Sequence, residues 1–99
     1  VAQGQYDRAV SAFGDTNSNA AALAQIMAEQ YTAAKNTLDA VKNPDGYTYY
    51  LKAIVGARTN NAAMVAENLV KAVKLDAALV EKAKKDLEFK KFAAALLNL

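Results

Sequence analysis

Alanine is the feature of this sequence that most restricts its fold. It accounts for 23 of the 99 residues, more than any other residue type. Because alanine has the highest intrinsic helix propensity and lets helix axes approach closely, such a chain favours packed helices over strands. We therefore expect an all-α protein. The longest apolar stretches, residues 20–24 and 92–97, fall far short of the roughly 20 residues that span a bilayer, so we expect no membrane insertion.

The residue types that are missing restrict the chemistry. The chain has no cysteine and no histidine, which excludes thiolate and imidazole metal sites, disulfides, and catalysis by a thiol or a Ser-His pair. Asp86 and Glu88 form a close carboxylate pair, but a spacing of two residues places them on different faces of a helix. We therefore predict a protein that is not an enzyme and that needs no cofactor.

Short polar breaks divide the chain into helical segments. Apolar periodicity predicts helices over residues 5–13, 20–28, 31–42, 44–58 and 62–75, with a further helical stretch from Ala77 that breaks or bends before the apolar end. The clearest helix start is Asn43-Pro44, because asparagine caps well and proline suits the first helical position. Connections this short make neighbouring helices antiparallel, which predicts stacked helical hairpins.

The second helix of each predicted hairpin repeats one pattern: a polar turn, a residue that packs, a small residue three later and a large apolar residue four after that. The three copies are Gly4-Gln5-Tyr6 with Ala9 and Phe13, Glu29-Gln30-Tyr31 with Ala34 and Leu38, and Asn60-Asn61-Ala62 with Val65, Leu69 and Ala72. This pattern resembles the second helix of the tetratricopeptide repeat (TPR), which has two antiparallel helices and a period of 34 residues. Here the intervals between copies are 25 and 31 residues, and Ala62 and Ala77 stand where the family has tyrosine and proline.

The resemblance covers about residues 4–76 and implies a short TPR-like right-handed superhelix. Residues 77–99 are then similar to the polar-backed capping helix that closes such arrays, followed by an apolar tail. The alternative is an unrelated alanine-rich bundle, which the same hairpin physics allows. We expect one helical domain, an excerpt of a longer protein. The resemblance suggests a bacterial parent in the periplasm or at the outer membrane, while localisation itself stays open.

In the TPR family, partner peptides lie in a groove lined by the first helix of each hairpin. Tyrosine and arginine often carry binding energy at such interfaces. Counting back from the turn at Asn60 predicts which residues of the 44–58 helix line this groove: Tyr47, Tyr50, Ile54 and Arg58. On the preceding hairpin, the groove is predicted to continue over Asn19, Leu23 and Met27. The opposite interpretation is that the tyrosines are packing residues, because an alanine-rich core needs some large side chains to fill it.

The C-terminal region is rich in lysine. Seven lysines, at positions 71, 74, 82, 84, 85, 90 and 91, stand against four acidic residues, which gives a local charge of +3. A basic helix attracts nucleic acid, an anionic membrane surface or an acidic partner. However, Glu81 and Asp86 lie three or four residues from lysines, so we expect ordinary surface ion pairs. No phosphate-binding glycine loop or aromatic-basic signature accompanies the lysines, and we expect no nucleic acid.

Two further segments carry weaker signals. Residues 15–19 begin like a calcium loop, but Ala20 replaces the glycine and Ile26 the bidentate glutamate, so a capped turn without metal is predicted. The nearly uncharged end from Phe92 to Leu99 is expected to pack on the body, on a second copy in a homodimer, or on whatever follows in a longer parent.

These expectations define a non-catalytic interaction module that captures a peptide or protein in a groove. The alternative is a structural spacer or dimerisation domain of a larger, envelope-associated bacterial protein. Contact with a membrane or nucleic acid through the lysines is a third interpretation, which strongly salt-dependent binding would reveal.

Overall fold

The computed structural model describes residues 17–92, apart from the side chain of Leu87, and every regular element among them is helical. These elements are α1 (Asn19–Met27), α2 (Tyr31–Asp39), α3 (Gly46–Arg58), α4 (Ala62–Leu75), α5 (Leu79–Lys85) and a 3-10 helix (Leu87–Phe92). The predicted all-α class is therefore confirmed for this part of the chain. The predicted helix over residues 5–13 and most of the apolar tail lie outside the described residues. None of the described helices is long and apolar enough to cross a membrane.

The described residues form two compact units, one that ends at Asn43 and one that begins at Pro44. In the first unit, α1 packs against α2. The Ser18 side chain caps α1 by accepting a hydrogen bond from the Ala21 N–H at 3.1 Å, so the polar segment ends in a capped turn as predicted. A short turn joins the helices, with Glu29 in the left-handed region at φ 63°. The buried residues of this hairpin are mostly small: Ala21, Ala22, Ala24, Ala28 and Ala34, together with Ile26, Thr37 and Leu38.

Several helix boundaries differ from the prediction by one to three residues, and two of them lie on either side of Pro44. The second helix ends at Asp39 rather than at residue 42, and the backbone tightens after it, where the Val41 N–H donates to the Leu38 carbonyl at 3.3 Å. The third helix begins at Gly46 rather than at Pro44. Its start is set by a reciprocal capping box, in which the Asp45 carboxylate accepts from the Thr48 N–H at 2.9 Å and the Asp45 N–H donates to the Thr48 hydroxyl at 3.1 Å.

The second unit is built on the hairpin of α3 and α4. Asn60 adopts φ 58° in the turn, and the Asn61 side chain caps α4 by accepting from the Met64 N–H at 3.1 Å. Val65, Leu69 and Ala72 of α4 are fully buried. The bounds of α4 agree with the predicted residues 62–75, because an asparagine cap and a regular apolar stripe mark both its start and its length.

Glycines bring α3 and α4 close together at both ends of the hairpin. A Cβ atom placed on Gly46 would lie 2.9 Å from the Asp76 Cβ and 3.0 Å from the Ala72 carbonyl oxygen. A Cβ atom on Gly56 would lie 3.0 Å from the Val65 backbone nitrogen. Since the start of α3 meets the end of α4, and the end of α3 meets the start of α4, the two helices are antiparallel and too close for larger side chains at either point.

Residues 79–92, which we call the terminal segment, pack on the α3–α4 hairpin. The segment comprises α5 and the 3-10 helix, and both contact α3 and α4. Its buried side chains are Leu79, Ala83, Phe89 and Phe92. The predicted bend in the last helical stretch falls at Asp86, between α5 and the 3-10 helix.

Candidate interaction surface

The predicted groove residues of α3 differ in their exposure. Tyr47 is 37% exposed, whereas Tyr50 is 1% and Ile54 is 9% exposed. Tyr50 and Ile54 are core residues in this arrangement and do not present surface to a partner. For Tyr50, the structure agrees with the packing interpretation of the tyrosines, because the terminal segment packs on this helix.

Tyr50 anchors the terminal segment to α3. Its hydroxyl donates a short hydrogen bond to the Asp86 carboxylate. Its ring meets Phe89 edge-on, with 5.4 Å between ring centroids, and the Lys82 ammonium lies 5.6 Å from its centroid. Burial, and then the hydrogen bond to Asp86, raise the pKa of the Tyr50 phenol well above its usual range. The Tyr47 ring stacks beside Tyr50 at a centroid distance of 6.3 Å.

Arg58 makes a second link between α3 and the terminal segment. Its guanidinium forms a fork with the Glu88 carboxylate, with Nε to Oε2 at 3.1 Å and Nη2 to Oε1 at 2.5 Å. The pair lines a shallow depression of about 290 Å³ together with Ala57, Lys91 and Phe92. Arg58 is therefore already paired with Glu88, and a ligand in this depression would have to compete with that carboxylate for the guanidinium.

An exposed apolar pair lies at the end of the hairpin where α3 begins and α4 ends. Leu75, the last residue of α4, is 59% exposed, and Tyr47 is the other large apolar side chain that is exposed among the described residues. Their chain neighbours Asp76 and Gly46 are in close contact. We call Tyr47 and Leu75 the hairpin-end patch. Leu75 is not among the predicted site residues, because its spacing of three residues from Ala72 continues the apolar stripe of α4 and gives no sign of exposure.

The remaining groove residues of the prediction belong to the first unit. Asn19, Leu23 and Met27 follow one another at intervals of four residues along α1, and all three are partly buried. Asn19 also borders a depression of about 410 Å³ at the end of the α1–α2 hairpin, lined further by Asn17, Ser18, Ala40, Val41, Lys42 and Asn43. The predicted groove residues are thus divided between the two units.

Tyr49 is half-buried and has two lysines beside its ring. The ammonium groups of Lys52 and Lys71 lie 5.1 Å and 5.8 Å from its centroid. Lys71 also pairs with Glu67 on the same helix at 3.3 Å. The Tyr49 hydroxyl has no hydrogen bond to a residue in the described range, in contrast to the hydroxyl of Tyr50.

The ion pairs predicted for the C-terminal lysines are not formed. Neither Glu81 nor Asp86 pairs with a lysine among residues 17–92. Asp86 instead accepts from the Tyr50 hydroxyl, and Glu88 accepts from Arg58. For Asp86, the reason is that the buried Tyr50 hydroxyl competes for the carboxylate that helical spacing alone assigns to surface pairing.

No metal-binding cluster of acidic residues occurs in the described part of the chain. Comparison with protein-family models, with curated proteins and with solved structures finds no match to this chain.

Proposed function

We propose that this protein is a non-catalytic interaction module of the TPR-like type, which binds a protein partner. The observation that carries the proposal is the burial of the repeated motif. Ala34 and Leu38 in α2, and Val65, Leu69 and Ala72 in α4, occupy the small and large apolar positions of the pattern, and all five are essentially inaccessible to solvent. The second helices of two separate hairpins thus bury the same positions of the repeated pattern.

The packing of small residues at the helix crossing also supports a TPR-like hairpin. Ala53 and Gly56 of α3 are buried, and Gly56 meets the start of α4. The resemblance requires small residues at close helix crossings, since a larger side chain would push the axes apart. A terminal segment with a buried apolar side and an outer side of lysines is in keeping with the cap of a short repeat array.

The hairpin-end patch is the surface that best suits a protein partner. Tyrosine offers a rigid apolar ring with a polar tip. The exposed leucine adds apolar area at the same end of the hairpin. Tyr47 keeps its role from the sequence prediction, and Leu75 replaces the buried Tyr50 and Ile54. Leu23 and Met27 provide a second apolar surface, on the other unit.

Site-specific crosslinking tests the proposal. A photoreactive phenylalanine analogue replaces Tyr47 in one variant and the exposed Ala63 of α4 in another, and adducts formed in lysate are identified by mass spectrometry. We expect an adduct from position 47 that is absent from position 63. The identified partner is then purified and its affinity measured for the unmodified chain and for Tyr47→Ala, Leu75→Ser and Ala63→Ser.

Truncation of an interface anchor costs roughly 1–2 kcal/mol or more, so Tyr47→Ala and Leu75→Ser should each weaken binding about tenfold. Ala63→Ser should leave the affinity within about twofold, because isolated surface changes are nearly neutral. Equal adducts from both positions, or equal affinities for all three variants, would contradict the proposed surface. Circular dichroism of each variant shows that the helices are intact.

A further inference from the structure

The outer side of the terminal segment carries lysines that have no partner among the described residues. Lys84, Lys85, Lys90 and Lys91 are exposed, and none forms an ion pair or an aromatic contact with a residue of the described range. We call these four residues the lysine face. Lys82 is also exposed, but its ammonium lies over the Tyr50 ring.

The acidic residues that could neutralise the lysine face are held elsewhere. Asp86 accepts from the Tyr50 hydroxyl and from the Glu88 N–H. Glu88 accepts from both nitrogens of the Arg58 fork. Glu81 is the one exposed acidic residue on the segment, so the face keeps an excess of positive charge.

The composition of the face decides which polyanion it suits. Leu87 aside, the exposed residues of the terminal segment are five lysines and one glutamate: Glu81, Lys82, Lys84, Lys85, Lys90 and Lys91. Protein interfaces are centred on aromatic, apolar or arginine side chains and are depleted in lysine. Single-stranded nucleic acids bind through stacking aromatic residues, which this face lacks.

A fluid anionic surface needs none of those features. Lysine is a flexible point charge, and near anionic lipid each lysine adds an attraction that raises binding about fivefold without any fixed geometry. We infer that the lysine face docks this protein onto the anionic headgroups of a lipid bilayer, as a peripheral contact. Four lysines acting together give an apparent dissociation constant on the order of 1 mM accessible lipid.

Vesicle sedimentation tests the inference. It is done at about 0.1 M salt, where attraction between exposed charges farther apart than about 10 Å is largely screened, so that only lysines close to the lipid contribute. The vesicles are mixtures of phosphatidylglycerol and phosphatidylcholine, with pure phosphatidylcholine as the uncharged reference. Lys84→Gln/Lys85→Gln is compared with Lys35→Gln/Lys42→Gln, which changes two lysines of the first unit. Both double variants lower the net charge from +2 to zero, so they are matched in overall charge.

We expect the full chain to bind the anionic vesicles and not the neutral ones. Lys84→Gln/Lys85→Gln should weaken binding about 30-fold, and Lys90→Gln/Lys91→Gln by a similar factor. The control variant should change binding less than about threefold, because Lys35 is paired with Asp39 on an exposed helix face and its charge is already balanced locally.

Equal losses for the control and for Lys84→Gln/Lys85→Gln would overturn the inference, since they would reveal a general effect of net charge. Absence of vesicle binding by the full chain would overturn it as well. A third arm uses double-stranded DNA, whose phosphates lysines neutralise without stacking residues. Tighter binding to this DNA than to vesicles, lost in the same variants, would assign the face to nucleic acid instead. Circular dichroism verifies folding throughout, and none of these outcomes bears on the protein partner at the hairpin-end patch.

Discussion

Replacing Tyr50 with phenylalanine removes one hydroxyl from the contact between α3 and the terminal segment. The ring is buried and meets Phe89 edge-on, and phenylalanine keeps that contact. What is lost is the hydrogen bond to Asp86, and hydrogen bonds to charged groups contribute about 1.5–3 kcal/mol. Because Asp86 is partly exposed, water replaces some of the lost interaction. We therefore expect the free energy of unfolding to fall by about 2 kcal/mol.

Urea unfolding followed by circular dichroism measures this loss, with Tyr49→Phe as the matched control. Tyr49 is the neighbouring residue, and its hydroxyl has no hydrogen bond to any residue in the described range, so the same substitution should change the free energy by less than about 0.5 kcal/mol. A Tyr50→Phe variant as stable as the control would refute the reasoning, because the buried hydroxyl would then contribute nothing.

The difference in stability between the unmodified chain and Tyr50→Phe should also depend on pH. Burial and the Asp86 hydrogen bond raise the pKa of Tyr50 in the folded state, so above about pH 10 the phenol ionises in the unfolded chain before it does in the folded one. The unfolded state then binds fewer protons, and stability falls as pH rises. The stability difference between the unmodified chain and Tyr50→Phe, present at neutral pH, should shrink by about 1.4 kcal/mol per pH unit above pH 10. A constant difference up to pH 11 would contradict this.

Four further substitutions test other contacts by the same unfolding assay. Gly56→Ala should destabilise by about 1 kcal/mol, because crowding against Met64 costs about 1–3 kcal/mol and outweighs the gain of roughly 1 kcal/mol in helix propensity; a more stable variant would show that α4 yields. Arg58→Ala and Glu88→Gln should each cost no more than about 1 kcal/mol, since the pair is partly exposed, and 1 M salt should reduce the difference. Asn61→Ala should cost about 1 kcal/mol by removing the cap of α4, and an unchanged midpoint would argue against that cap.

Local signals were sufficient to predict the helices of the described residues. The polar turn before Ala62 and an apolar stripe predicted α4 with its bounds, because these signals are local to the helix and its turn. The start of α3 was predicted two residues early, since the capping box uses Thr48 in the place where glutamate or glutamine is usual. The error is small, because the predicted cap Asn43 and the observed cap Asp45 lie within one helical turn of each other.

The candidate site was harder to predict, because it depends on contacts between distant residues. Buried residues occur almost all round α3: Gly46, Thr48, Tyr50, Leu51, Ala53, Ile54, Val55 and Gly56. Periodicity identifies the outer side of a helix only when one face is polar. Tyr50 meets Asp86 across 36 residues of sequence, and no local pattern specifies that pairing. The burial of Tyr50 could therefore be known only once the position of the terminal segment was known.

One set of contacts connects the stability of the terminal segment with the charge of its surface. Asp86 and Glu88 hold the segment to α3 through Tyr50 and Arg58, and within residues 17–92 neither carboxylate pairs with a lysine. Variants of the lysine face leave these links intact, so they should change vesicle binding at unchanged stability. Tyr50→Phe should lower stability first and weaken vesicle binding only under conditions that detach the segment. Measuring both quantities on both kinds of variant therefore separates the charge of the face from the fold that presents it.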